Sequence, residues 1–127
     1  MPKQFYDTAL DAAYDVLDLA TTVRVISAYA LNDTHATVVT NTLASATMVA
    51  NTDYTKAVGS GGAGSRKVTM AAKSGASVAA TGTATHVAIT ETTDTSVRLV
   101  TTCTSQALTS GNTVNIPAWS HEFGVPT

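Results

Sequence analysis

From Gly64 to Phe123 the chain is a succession of short segments with a two-residue beat, rich in Thr and Ala and punctuated by Gly, Ser and Asn. Lys67-Val68-Thr69-Met70-Ala71 is one such segment. Thr85-His86-Val87-Ala88-Ile89-Thr90, Ser96-Val97-Arg98-Leu99-Val100 and Thr113-Val114-Asn115-Ile116 are the others. Alternating apolar and polar side chains turn one face of each segment to a core and the other to water. The branched Cβ of Thr packs well on such a pleated surface. Turn chemistry separates the segments at Ser74-Gly75, Thr81-Gly82, Glu91 to Asp94 and Ser110-Gly111-Asn112. The pattern predicts a mainly β domain, an antiparallel β-sandwich or jelly-roll-like fold, with residues 66–123 forming a meander of four or five strands.

Ahead of this region, residues 4–20 predict one N-terminal helix, because Tyr6, Leu10, Ala13, Tyr14 and Leu17 recur at three- and four-residue spacing. Residues 21–58 read as short strands and loops. Thr21 to Ala30 holds a strand through Val23 and Val25, Leu31 to Asp33 a turn, and Thr37 to Thr40 a short strand. Leu43 to Tyr54 reads as irregular, with strand around Thr47 to Val49. Residues 59–65 form a glycine-rich loop, expected to be flexible. A length of 127 residues suits a single domain, 1–127, with one core.

That core must be thin. Ala and Thr supply roughly a third of the chain, against aromatics at 6%. At about 25 cal/mol per Å² of buried apolar area, Ala contributes little. Small domains with so little to bury commonly obtain the remainder from a neighbouring subunit, so a homo-oligomer is expected.

Charge narrows the partners. The net charge is −2, and the seven Lys and Arg are scattered, which gives no basic footprint for nucleic acid. No apolar run approaches the roughly 20 residues of a membrane helix. Met1-Pro2-Lys3-Gln4 leads into no apolar stretch of the kind a secretory signal needs. The single cysteine, Cys103, rules out an internal disulfide framework and fits synthesis in a reducing cytoplasm.

Four groups of residues are candidates for chemistry. Asp7, Asp11, Asp15 and Asp18 form an acidic stripe on the N-terminal helix. It reads as a solvated face, as a dock for a basic partner, or as part of a calcium site. One helix face alone cannot converge the oxygens that calcium requires. Gly59, Gly61 and Gly64, with Gly62 between them, match G-x-G-x-x-G, yet Ser65-Arg66-Lys67 and a strand follow where a phosphate loop needs Lys-Ser/Thr and a helix. His35, His86 and His121 are dispersed, without zinc spacing, and Cys103 lies among threonines with no adjacent base. Trp119 and Phe123 share one face of the last strand, as a core plug, a subunit contact or a sugar-stacking platform. No set of catalytic side chains emerges, no cofactor or metal is implied, and the expectation is a protein that is not an enzyme.

Ala9-Leu10-Asp11-Ala12-Ala13, Ser65-Arg66-Lys67-Val68-Thr69, Gly82-Thr83-Ala84-Thr85-His86-Val87-Ala88 and Thr104 to Val114 together resemble small virion-associated structural proteins of tailed bacteriophages. The resemblance is densest from Ser65 onward and weakest over Leu31 to Asn51. It implies a particle component made in the bacterial cytoplasm. Within that class the expected role is a capsid decoration, or cement, protein on the outer capsid surface. The major capsid protein would be its partner and a trimer its assembly. A tail, baseplate or fibre component that binds host carbohydrate is the alternative. Asp7, Asp11, Asp15, Asp18, Gly59, Gly61, Gly62, Gly64, Trp119 and Phe123 are the candidate contact residues, and the acidic stripe implies binding that strengthens at low salt.

Overall fold

The alternating segments do fold into antiparallel sheets, but several of them pair with strands far along the chain and not with the next in sequence. The computed structural model describes residues 3–125; Met1-Pro2, weighed above for a secretory signal, and the last two residues of the 1–127 reading lie outside the described residues. In chain order the elements are α1 (Asp7–Leu17), β1 (Thr22–Ile26), α2 (His35–Thr40), β2 (Thr42–Thr47), β3 (Tyr54–Val58), β4 (Arg66–Met70), β5 (Lys73–Ser77), β6 (Gly82–Glu91), β7 (Ser96–Leu108), β8 (Thr113–Ile116) and β9 (Trp119–Phe123). They build a four-stranded sheet of order β2-β1-β6-β7, a three-stranded sheet β3-β4-β9 and a two-stranded sheet β5-β8. The chain is mainly β and sandwich-like, with its principal helix at the N-terminus.

The expected meander is corrected on one point. Within residues 66–123 only β6 and β7 pair as a direct hairpin; β4 reaches across to β9 and β5 to β8. Alternation dictates which face of a strand is buried, and says nothing of which strand lies alongside. Ser74-Gly75, expected as a turn, falls inside β5. There Gly75 takes a positive φ of 67° and its N–H donates to Asn115 Oδ1 at 2.9 Å, across a register break in the β5–β8 pair. A glycine at positive φ serves a bulge as readily as a turn.

One core is shared by α1 and all three sheets. Tyr14 and Leu17 enter it from the helix, Val23 and Val25 from β1, Val68 and Met70 from β4, Val87 and Ile89 from β6, and Ile116 from β8. The opposite face of β6 is also covered: Ala88 packs with Ile26 and with Val38 of α2. This second cover corrects the expected strand at Thr37 to Thr40. Thr34 accepts a hydrogen bond from the Thr37 N–H at 3.2 Å, and the Thr40 hydroxyl bonds back to the Ala36 carbonyl at 3.0 Å. An N-cap and one buried valine outweigh the β-preference of Thr and Val in so short a segment.

The N-terminal helix is shorter than the periodicity implied, running over Asp7–Leu17 rather than 4–20. Tyr6 is extended and supplies no side-chain cap. At the other end the Asp18 carbonyl accepts from Asn51 N–H at 2.9 Å, and the Ala20 carbonyl accepts from the buried Tyr54 hydroxyl at 2.7 Å. Those long-range bonds draw the chain out of the helix and into β1. Residues 42–47, read as loop and irregular chain, are the strand β2.

Candidate assembly surfaces

The acidic stripe meets its cations within the chain. Arg66, at the start of β4, donates from Nε to Asp11 Oδ1 at 2.8 Å and from Nη2 to Asp11 Oδ2 at 3.0 Å. Lys56 of β3 bonds Asp15 and lies 3.0 Å from Asp18 Oδ2. The hydrogen bonds it donates to Asp15 and Asp18 hold the Lys56 ammonium above the ordinary lysine range, and the bond to Asp11 does the same for Arg66. Asp18 is buried and its Oδ1 has no partner among the described residues, whereas Asp7 remains exposed. Three of the four carboxylates therefore fasten α1 to the β3–β4 pair. The basic partners, Lys56 and Arg66, lie 38 to 55 residues further along the same chain.

Beside these ion pairs lies an aromatic clamp. The Tyr14 ring stacks on Phe123 at 5.0 Å between centroids, and His121 meets both rings edge-on at 6.1 and 5.2 Å. The Tyr14 hydroxyl lies 3.1 Å from both the Arg66 and the His121 carbonyl oxygens. Burial pushes that phenol above its usual range. Trp119, opposite Met70 in the β4–β9 ladder, packs half-buried against the same core. Trp119 and Phe123 thus sit where a core plug requires them, joining β9 to α1 and the core.

The glycine loop is ordered by a carboxylate. Glu122 Oε1 accepts from Ser60 N–H at 2.7 Å, Ser60 Oγ at 2.9 Å and Gly61 N–H at 3.4 Å. These bonds, the one from the Ser60 hydroxyl foremost, hold the Glu122 carboxyl below the ordinary glutamate range. The buried Ser65 donates from Oγ to the Gly62 carbonyl at 2.7 Å. A side chain at Gly59 would overlap the Glu122 carboxylate and lie 2.8 Å from Ser65 Oγ, while Gly62 and Gly64 occupy positive φ of 76° and 89°. The resemblance to a phosphate loop has a physical root: backbone amides do converge on an anion, but the anion is the chain's own. This corrects the expected flexible loop to a hydrogen-bonded turn.

Two further features were not legible in the alternation. The outward face of α1 is apolar: Ala9, Ala12, Ala13 and Val16 are exposed, Leu19 follows just past the helix, and Phe5 and Tyr6 precede it, 55% and 74% exposed. Plotting the helix at 100° per residue would have found this third stripe beside the buried and acidic ones. The second feature is a cavity of about 220 Å³ between β7 and β8, floored by Val25, Ala84, Leu108 and Ile116. Cys103 is in its wall, and burial raises the thiol's pKa.

Among the described residues no three His, Cys, Asp or Glu side chains converge as metal ligands, and no helix is long and apolar enough to cross a membrane. Comparison with models of protein families, with characterised proteins and with solved structures finds no match to this chain.

Proposed function

We propose that this chain is a non-enzymatic structural component of a virion, a decoration or cement protein that binds the outer face of a phage capsid as a homo-oligomer. The trimer is the assembly that follows from that reading, and the major capsid protein is the partner. The supporting observation is the distribution of side chains on the surface. Asp11, Asp15, Asp18 and Glu122 are committed to partners within the chain, while Phe5, Tyr6, Val16 and Leu19 stand exposed on and beside one helix. A small domain that neutralises its own charge and presents apolar side chains outward is suited to burying surface against a neighbour. Many copies on a lattice then add modest contacts into substantial particle stability.

The test compares particles with and without the protein. Particles lacking it are expected to assemble but to release genome at lower temperature, and added protein restores heat resistance. Unchanged heat resistance together with lost adsorption to host cells would overturn the capsid reading and assign the chain to a tail fibre or baseplate.

A further inference from the structure

Of the three arginines, Arg66 holds Asp11 and Arg98 holds Asp94. Arg24 alone has no carboxylate partner among the described residues. It stands in the middle of β1, on the face of the four-stranded sheet opposite the core, because Val23 and Val25 on either side are buried in that core. The register surrounds it with neutral side chains. Ser45 of β2 and Ala88 of β6 lie directly across, and Thr22, Thr47 and Thr90 form the next row. Glu91, next along β6, is committed to Thr21 and Thr93 instead. Burial pulls the Arg24 guanidinium below the ordinary arginine range, and no neighbouring acid offsets it.

The side chain is also oriented. Nε donates to Thr90 Oγ1 at 3.0 Å, and Thr90 is wholly buried. Anchoring one edge of the planar group leaves its Nη1–Nη2 end open to solvent, without an acceptor among the described residues. On one flank Ala88 packs with Val38 of α2; on the other Ser45 is exposed.

We propose that this end of Arg24 receives an aspartate or glutamate carboxylate from the protein on which the chain assembles. Two parallel N–H groups match the two oxygens of a carboxylate, and Ser45 places a hydroxyl donor in the adjoining register position. One positive charge among neutral neighbours balances a carboxylate and would leave a phosphate dianion half-compensated. The position is a sheet face outside the cavity beside β7, which suits an acid carried on a protein surface over a small free acid that needs enclosure. Part of the guanidinium's desolvation has already occurred on folding, so pairing it on assembly carries a smaller penalty than pairing a fully solvated cation. The inference rests on the assembly reading above and specifies the chemistry of one contact.

Two arms of the experiment keep the site separable from that reading. In the first, particles lacking the protein are offered wild type and variants. Arg24→Gln is expected to weaken rebinding at least about tenfold with the urea midpoint kept. Arg24→Lys keeps the charge without the fork, and a water-soluble carbodiimide is expected to join its amine to an Asp or Glu of the shell, located by peptide mass mapping. Should Arg24→Gln lose its midpoint, that cross-link carries the comparison. In the second arm the purified chain alone is titrated with sodium acetate to about 100 mM at constant ionic strength. The amide signals of Thr22, Ser45 and Thr90 are expected to shift, and Arg24→Gln to abolish the shifts. Inorganic phosphate that moves them at least about tenfold more readily than acetate would assign the fork to phosphate and overturn the proposal. Wild type that never rebinds particles fails the capsid reading, and the acetate arm then decides the site alone. Rebinding indifferent to Arg24→Gln, no cross-link from position 24, or acetate shifts that are absent or survive that variant would each overturn the proposal.

Discussion

The aromatic clamp between α1 and β9 makes a quantitative prediction. Replacing Phe123 by Leu keeps an apolar side chain but removes the ring that stacks on Tyr14 at 5.0 Å. The site is partly open to solvent, so the loss should be about 1–1.5 kcal/mol, below the range for a fully buried aromatic truncation. Tyr14→Leu removes a 2%-exposed ring together with the hydroxyl 3.1 Å from the Arg66 and His121 carbonyls. Loss of area and of one net hydrogen bond should cost about 2–3 kcal/mol. If the rings interact, the double variant should be less destabilised than the sum, by about 0.5–1.5 kcal/mol. Trp119 lies on the same strand as Phe123 and is the only tryptophan, so its fluorescence follows the site directly during urea unfolding. Each kcal/mol should also appear as roughly 4 °C in Tm for a chain of this length. Additivity within about 0.3 kcal/mol would refute the clamp, leaving the ring pair as mere proximity.

The remaining predictions concern charge. Because the Glu122 carboxyl is held low in the folded chain by Ser60 and Gly61, its contribution is complete above the unfolded glutamate range and is lost as pH falls through the lower folded value; Glu122→Gln should therefore flatten the acid limb of a urea-midpoint profile below about pH 4.5, and an unchanged limb would count against the loop account. Gly59→Ala, whose Cβ overlaps that carboxylate, should expel it and reproduce the same flattened limb, whereas Gly61→Ala, with its nearest contact at 3.4 Å, should not. With three helix carboxylates paired internally, rebinding to depleted particles should change less than about threefold between 50 and 500 mM salt, in place of the low-salt preference that a free acidic stripe implies; a steep salt dependence measured by co-sedimentation would refute this.

Alternation proved a reliable guide to faces and a poor one to neighbours. Val68 and Met70 are buried and Thr69 is not, as the two-residue beat requires. Nothing in Arg66 to Met70 specifies that β9, some fifty residues on, will lie beside it. The pattern fails where two faces are covered. Val87, Ala88, Ile89, Thr90 and Glu91 are all buried: on the side that alternation assigned to water, Ala88 packs with Val38 of α2 and Thr90 accepts from Arg24 Nε at 3.0 Å. That helix was itself illegible: Thr37-Val38-Val39-Thr40 has strand propensity, and only the Thr34 cap preceding it hints otherwise. Local rules of this kind lose to tertiary burial wherever a segment is too short to hold its own structure.

The acidic stripe shows how function hides behind the same limit. Period alone placed Asp7, Asp11, Asp15 and Asp18 on one face, and a face of like charge invites an outside partner. Lys56 and Arg66 could not be assigned to it, because salt-bridge partners across two elements are fixed by sheet register and not by spacing. Once β3 and β4 present those cations to α1, the stripe becomes an internal fastening. The helix must then be turned with its carboxylates and with Leu10, Tyr14 and Leu17 inward. The remaining third of its surface, Ala9, Ala12, Ala13 and Val16, has nowhere to go but outward. Exposure of that apolar face is thus a geometric consequence of satisfying the charges. Ala9, Ala12 and Ala13 also serve helix propensity, so Val16 and the neighbouring Leu19, 49% and 52% exposed, are the part of that face suited to burial against an assembly partner.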